Sequence, residues 1–518
     1  MKKEIKKGTV VIALTIIILI QVLARIYVGK EKEYFHIDEA YSYSLMNYNK
    51  IQITENDDFF DNWHDKNYYI DYLAVNENEK FDFNPVYINQ KNDVHPPLYY
   101  LLLRIAASFT IDNFTKWTGI ILNIIIYVFS SIFIYLISDI LLKNKKKALF
   151  ITLIAGLTLG ALDTTAYIRM YELANLFILM ITYMHMKIYD KEELKVKDLI
   201  TIGVIALLGS LTHYYIIIYI AILFLIFVIK YIKKKQYKNL ARYIATFAIA
   251  AILSLIIFPY SMYHMFGGYR GEGAKNSLLN IDSFFVEIAQ CFYILQKGVT
   301  NNLSILLILI FIIFKQKSKN EIESADKQAS LIFIPTLVYF ILVAKMSPYK
   351  ELRYFMPIIS VSTVLVMYYF YLLYEGALKG KKAIIAMVVT FVILVISPLV
   401  TNANLEFTYK KMNHLAERIE EKSDLPAIYL FNENNIRFLD DIYIFTKIEN
   451  SYIMKNSNAN INNVERVLEG KDTSNGMIIV YNEGVEPEEI IKQIKDKYNY
   501  TEEEIMQNLN AGQVVYIH

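Results

Sequence analysis

The sequence predicts an α-helical polytopic membrane protein of about eleven transmembrane helices, with a C-terminal α/β domain outside the bilayer. Three observations predict it. Apolar runs of about 15 to 25 residues recur through roughly the first 400 of 518 residues, and 55% of the chain is hydrophobic. Lysines gather in the short connectors between those runs, as the positive-inside bias requires. After about Thr401 the runs stop, and shorter helix-like and strand-like patterns alternate.

Taken in order, Lys2, Lys3, Lys6 and Lys7 precede an apolar segment at about 10–28, which puts the N-terminus in the cytoplasm. Val22-Leu23-Ala24 would pass as a signal-peptide cleavage sequence. The length of the segment, and a following loop that needs placing against the bilayer, favour a retained anchor. The loop at about 29–94 is then external, and it is too long and polar for a mere connector. Pro96-Pro97 opens a short apolar helix at 98–107. Were that helix to cross, the next segment would deliver Lys143, Lys145, Lys146 and Lys147 to the outside, and every later connector would invert. An interfacial helix on the outer surface keeps the charge pattern consistent throughout.

Further crossings are expected near 117–142, 148–163, 171–188, 198–212, 215–231, 241–260, 301–315, 329–345, 355–374 and 383–400. The cytoplasmic connectors then carry the lysines of 187–197, 230–242, 315–327 (Lys317 and Lys319 among them) and 379–382. The external segments are 163–172, 212–215, 261–300 and 347–354. A transmembrane domain at 1–400, with residues 29–110 as its first external loop and juxtamembrane helix, would precede a soluble extracytoplasmic domain at 401–518. In the latter, helices are expected at 411–422, 436–445, 464–469 and 488–497, and strands at 427–431, 452–454, 477–481 and 514–517, in a partly parallel sheet.

Composition also excludes. The net charge of +2 comes with lysines that topology explains, so no nucleic-acid face is implied. Cys291 is the single cysteine, which rules out an intrachain disulfide and a cysteine-based metal cluster; it reads as a small apolar residue. The C-terminal region has no Gly-rich phosphate loop, which argues against a nucleotide site there.

Chemistry concentrates on the outer surface. Asp38-Glu39 and Asp93-Val94-His95-Pro96-Pro97 lie near the two ends of the first loop, each at a membrane surface. Nucleotide-activated donors are largely absent outside, so an external group-transfer enzyme needs a donor carried by the lipid, such as a polyprenyl-phosphate sugar. That donor requires fixed cations, an apolar groove and a carboxylate to accept the acceptor's proton. Asp38 is the expected general base, and attack opposite the phosphate would invert the anomeric centre. Glu39 would orient Asp38 or bind the acceptor, while Asp93 and His95 would complete the polar floor. Arg169 and Arg353 suit the phosphate because guanidinium binds its oxygens in a planar fork. Lys350 and Tyr171 are helpers, Arg270 a weaker one, and His213 and Tyr354 are supporting residues. The plain alternatives are arginines snorkelling to headgroups, His95 acting as a helix cap, and His213 as a hydrogen-bonded interface residue. No metal is required for a monophosphate leaving group, although Asp38, Asp93 and His95 could hold a divalent ion.

At these residues the chain resembles the GT-C superfamily of polytopic glycosyltransferases, especially the bacterial protein-mannosyltransferase-like and aminoarabinose-transferase-like members. The resemblance lies in the order of parts over roughly the first 400 residues: a first helix, Asp38-Glu39, the segment from His95 to Tyr100, Arg169-Met170-Tyr171, Thr212-His213-Tyr214, and Arg353-Tyr354 before Pro357. It implies an external active site, a polyprenyl-phosphate-linked donor, inversion, a catalytic aspartate at Asp38, and a juxtamembrane helix after Pro96. The acceptor is left open: a lipid-linked glycan, a wall polymer or a protein. Two other classes compete. A transporter or flippase of a lipid-linked sugar should carry ionisable groups near the midplane and repeat symmetry, whereas the expected helix centres are nearly free of charge. A binding or scaffold protein presenting its C-terminal domain would leave the external motifs unexplained.

Overall fold

The structure is a computed structural model that describes residues 6–48, 52–315, 327–378, 380–396, 405–433, 437–509 and 512–518. Lys2, Lys3, Lys317, Lys319, Lys379 and residues 397–400 of the last expected crossing lie outside the described residues. Among the described residues, six helices are long and apolar enough to cross a membrane: Lys7–Lys30, Lys116–Leu142, Tyr215–Lys233, Tyr237–Ile257, Lys327–Met346 and Leu352–Ala377. Two bent pairs raise the number to eight if each is one span: Lys145–Ala155 with Leu159–Ala166, bent by 58°, and Ser261–Leu279 with Phe284–Thr300, bent by 115°. The chain is therefore mostly helical and multi-pass, with six to eight candidate spans where the sequence predicts eleven. Helices also fill the expected crossings at 171–188, 198–212 and 301–315, as Tyr171–Ile188, Val196–Ser210 and Ser304–Lys315. The Val196–Ser210 helix, of 15 residues, reaches only about 22 Å, short of a hydrocarbon core about 30 Å thick.

The chain divides into two compact units. The first comprises Met1–Val28, Asp93–Tyr99 and Ile120–Leu405. Its expected external loop at 261–300 is helical, as Ser261–Phe266, Tyr269–Leu279 and Phe284–Thr300. The bend after Ala155 has a local cause: Tyr127 and Gln21 press so close to Gly156 that a Cβ there would collide with the Tyr127 hydroxyl and the Gln21 amide.

The second unit comprises Gly29–Asn92, Tyr100–Gly119 and Glu406–His518. It is built on a six-stranded sheet in the order β1-β3-β2-β4-β6-β5. The strands are β1 (Asn62–Asp65), β2 (Ala427–Phe431), β3 (Asn450–Lys455), β4 (Met477–Asn482), β5 (Glu503–Asn508) and β6 (Gly512–Ile517). Central β2 runs parallel to β3 and β4, while the outer pairings are antiparallel. All five β2 residues are buried, which is why that strand reads as one continuous apolar run. Ile428, Leu430, Ile479 and Val515 form the core with Val464 and Ile494 from the Ile461–Leu468 and Glu488–Tyr498 helices.

The sequence assigns 29–110 to the transmembrane domain; in the structure residues 29–92 and 100–119 pack with 406–518. The physical reason is β1, which pairs Trp63 with Tyr452. Trp63 Nε1 also donates to the Val467 carbonyl at 3.2 Å, and the Tyr69 and Ser451 hydroxyls bond at 2.8 Å. Leu98–Ala107 is a helix of 10 residues, about 15 Å long and unable to span the bilayer, as the charge pattern predicts. Within the second unit its fully buried Arg104 donates to the Asn47 side chain and, at 2.7 Å, to the Glu79 carbonyl.

Candidate active site

Two groups of side chains carry the chemistry, one in each unit. In the second unit, Asp38 and Glu39 open the Ile37–Asn47 helix. The sequence His36-Ile37-Asp38-Glu39 makes a reciprocal cap: His36 Nδ1 accepts from the Asp38 N–H at 3.0 Å, and Glu39 Oε2 accepts from the His36 N–H at 2.7 Å. Glu39 and Lys32 are completely buried and paired at 2.9 Å, and Lys32 also donates to the Phe407 carbonyl at 2.6 Å. Glu39 therefore holds the helix start. Asp38 differs. Its side chain is 26% exposed, and the nearby His36 Nδ1, 3.8 Å away, already serves as an acceptor. A negative charge at the first turn is also favoured by the helix dipole.

The 3-10 turn Arg437–Asp440 packs against this helix. Arg437 Nε donates to Asp440 Oδ2 at 2.7 Å, and the Tyr429 hydroxyl donates to Asp441 Oδ2 at 2.8 Å. Burial pushes the Asp441 carboxyl up to about 7. Burial also raises Asp440, against the pull of Arg437 and with a further push from Asp38. Sequence reasoning missed both acids, because only the fold brings the end of the polar loop after β2 to the Asp38 helix.

In the first unit, Asp93, His95, Arg169, Tyr171 and His213 come together. Asp93 Oδ2 pairs with His95 Nδ1 at 2.8 Å. Burial would raise the Asp93 carboxyl, but the His95 ring and the Arg169 guanidinium outweigh it and hold the group below the ordinary carboxylate range. The His213 ring lies 6.3 Å from that of His95 and 5.5 Å from that of Tyr171. Burial, reinforced by positive charge at His95 and Arg169, drives His213 down to about 3. It stays neutral: its Nδ1 accepts from the Tyr215 N–H at 3.1 Å, so its proton sits on Nε2.

Arg169 is 3% exposed and Arg353 6% exposed, so neither guanidinium is a solvated surface group. Arg353 donates to the Tyr167 hydroxyl at 3.2 Å and pairs with Glu351 at 2.8 Å. Tyr167 stacks on Tyr171 at 5.7 Å, so Arg353 reaches the turn from Tyr167 to Tyr171 on which Arg169 stands. Tyr354 packs on Tyr215 at 6.2 Å. Lys350 faces elsewhere, donating to the carbonyls of Ala344 (2.9 Å) and Ser347 (3.1 Å) at the end of the Ser330–Met346 helix, with Glu287 at 3.8 Å. It caps orphan carbonyls. Arg270 lies over the Tyr269 and Tyr349 rings at 5.1 and 5.7 Å. Asp93 and His95 form a pair, and among the described residues no group of three or more His, Cys, Asp or Glu side chains is arranged to hold a metal ion.

Two charged residues are buried away from the helix centres, Arg25 in the last third of Lys7–Lys30 and Glu172 in the first turn of Tyr171–Ile188. Arg25 carries a legible signal, being a charge set inside an apolar segment. Its partners do not, because they lie about 130 to 140 residues away in sequence.

Residues 94–261 match the family model of dolichyl-phosphate-mannose-protein mannosyltransferases. That stretch includes His95, Arg169, Tyr171 and His213. The whole chain is similar in fold to ArnT from Cupriavidus metallidurans in the apo state, at 8% identity and a TM-score of 0.54, with 97% of each chain covered. ArnT from the same organism bound to undecaprenyl phosphate aligns over 99% of this chain and 98% of that one, at 8% identity and a TM-score of 0.49. The archaeal oligosaccharyltransferase AglB from Archaeoglobus fulgidus, in complex with an inhibitory peptide and a dolichol-phosphate, covers 92% of this chain with 69% of its own, at 11% identity and a TM-score of 0.45. No curated protein sequence matches. The protein is thus a multi-pass membrane protein with the fold of the GT-C glycosyltransferases. The resemblance read from the motif order is borne out, and the named similarities are to glycosyltransferases and an oligosaccharyltransferase.

Proposed function

We propose that the protein is an inverting glycosyltransferase that moves a sugar from a polyprenyl-phosphate-linked donor to an acceptor hydroxyl on the outer face of the cytoplasmic membrane. The observation that carries this reading is a pair of buried arginines at one turn: Arg169 stands on the turn from Tyr167 to Tyr171, and Arg353 donates to the Tyr167 hydroxyl. That turn lies inside the stretch matching a family whose name specifies a dolichyl-phosphate sugar donor.

In the proposed reaction the acceptor oxygen attacks the anomeric carbon as Asp38 takes its proton. The bond from that carbon to the phosphate oxygen breaks, and polyprenyl phosphate leaves with the electron pair, its charge met by Arg169 and Arg353. Tyr171, Tyr354, His95 with Asp93, and neutral His213 shape the phosphate surroundings; Lys350 is a lesser contributor because its ammonium already caps a helix. Two guanidinium groups can balance a monophosphate, so the reaction as proposed requires no metal. The acceptor is a glycan, a wall polymer or a protein. The count of eleven crossings and the extracytoplasmic orientation belong to the same proposal, supported by the lysine-rich connectors.

The test is sugar transfer from a panel of synthetic polyprenyl-phosphate sugars by the purified protein, wild type against Asp38→Asn, with and without a chelator. Turnover lost in Asp38→Asn with donor binding intact, and unchanged by chelator, is the expected result. Full activity in Asp38→Asn would overturn the base assignment. Failure to transfer from any donor, with movement of the intact lipid-linked sugar across vesicles, would establish the flippase reading instead.

A further inference from the structure

Beneath the Tyr167–Tyr171 turn lies a buried polar network that the proposed chemistry does not itself use. Arg25, fully buried in the Lys7–Lys30 helix, donates through Nε to the Thr165 hydroxyl at 2.9 Å. Its two other nitrogens reach the carbonyls of Gly156 (2.8 Å), Ala161 (3.2 Å) and Gln21 (3.2 Å). Its guanidinium lies 3.1 Å over the Tyr127 ring. Gly156 lies in the break between the Lys145–Ala155 and Leu159–Ala166 helices, where carbonyls at the end of the first helix lose their intrahelical partners, and Ala161 stands in the first turn of the second. Thr165 in turn donates to Glu172 Oε2 at 2.8 Å, and Glu172 also accepts from Ser130 at 3.3 Å and Asn175 at 3.4 Å. From the Lys116–Leu142 helix, Asn123 Nδ2 donates to the carbonyls of both Thr165 and Tyr167 at 3.0 Å, with its Oδ1 held by the Tyr99 hydroxyl at 3.2 Å.

The eight-residue stretch from Thr165 to Glu172 is therefore tied at both ends by one hydroxyl–carboxylate bond and pinned in between by Asn123. Arg169 sits at its centre. Burying an arginine and a glutamate inside a helical bundle is costly unless every donor is used. Hydrophobic residues of the same size would hold the helices together, but would not fix the path of a turn.

We propose that the relay Arg25–Thr165–Glu172, with Asn123, is a positioning device that sets the Arg169 guanidinium for the phosphate of the lipid donor. The inference rests on the reading of Arg169 as a phosphate ligand. Thr165 is the keystone, because its hydroxyl alone joins the cation to the acid.

The experiment measures binding of undecaprenyl phosphate to the purified full-length protein carrying Thr165→Val, Thr165→Ser, Arg169→Gln, or Thr165→Val with Arg169→Gln. Thr165→Val keeps the shape and removes the relay, and should weaken binding about tenfold, the size of one hydrogen bond to a charged group. Thr165→Ser restores the hydroxyl and should bind within about twofold of wild type. In the Arg169→Gln background, Thr165→Val should add less than about twofold, because the relay acts through Arg169. Unchanged binding in Thr165→Val beside weakened binding in Arg169→Gln overturns the relay and leaves the phosphate reading standing. Equal tenfold losses with and without Arg169 also overturn it, since they mark a general structural effect. Wild-type binding in Arg169→Gln removes the phosphate reading and this inference with it. Should Thr165→Val not fold, Glu172→Gln, which keeps the shape of the acid, reads the same coupling against Arg169→Gln.

Discussion

Asp38 and Glu39 are adjacent carboxylates whose replacement by their amides should have opposite consequences. The capping bonds at the start of their helix run through His36 Nδ1, the Asp38 backbone N–H and the Glu39 carboxylate, and none uses the Asp38 carboxylate. Asp38→Asn therefore leaves these capping bonds in place and removes the charge of the proposed proton acceptor. A positioned general base contributes about 10²- to 10⁴-fold, so turnover should fall by that factor, equivalent to about 3–5 kcal/mol of barrier. Donor binding and the unfolding midpoint should stay near wild type. Glu39→Gln instead leaves the ammonium of Lys32 in a completely buried site without its countercharge. Breaking a buried pair costs about 3–5 kcal/mol, which for a unit of this size lowers the unfolding midpoint by on the order of 10 °C. The assay is a paired measurement on each purified variant, thermal unfolding followed by transfer from the donor that the wild type uses. Equal losses of stability in the two variants would refute the division of roles, and wild-type turnover in Asp38→Asn would refute the base.

Three further outcomes are expected. Because burial raises the Asp441 carboxyl from its ordinary 3.8 to about 7, ionising it in the folded protein costs nothing below pH 4, an increasing amount between pH 4 and 7, and a constant amount above. Asp441→Asn should therefore stabilise the protein by up to about 4 kcal/mol above pH 7; the gain should fade toward pH 4 in unfolding measured across that range, and a gain independent of pH would refute the cause. Arg353→Lys keeps the charge but loses the fork that engages Tyr167 and Glu351, so affinity for undecaprenyl phosphate should drop about tenfold or more in a direct binding measurement. Arg104→Leu removes the buried ties to Asn47 and the Glu79 carbonyl, and unfolding should register a loss of about 3 kcal/mol.

The two halves of the candidate site differed in how legible they were. Arg169, Tyr171, His95 and His213 stood out because each lies at or near the end of an apolar run, and hydrophobic length locates such ends without any tertiary information. The strands at 427–431 and 477–481 were equally legible, since a buried parallel strand is a short unbroken apolar run. For Lys350 the sequence offered a phosphate ligand, and only the structure shows its ammonium donating to the carbonyls of Ala344 and Ser347 at the end of the Ser330–Met346 helix.

By itself, then, the sequence determined the membrane class, the helix ends, the order of the motifs and most strands of the sheet, because each depends on local composition and period. Only the tertiary structure decided that Asn62–Asp65 is the edge strand of a sheet whose other members lie more than 360 residues on. It likewise decided that Arg25 satisfies a broken helix about 130 residues away, and that Asp440 and Asp441 neighbour the Asp38 helix. Pairings of this kind leave no period in the chain: a backbone edge, an orphan carbonyl or a buried charge needs some partner, and which partner it finds is set by packing.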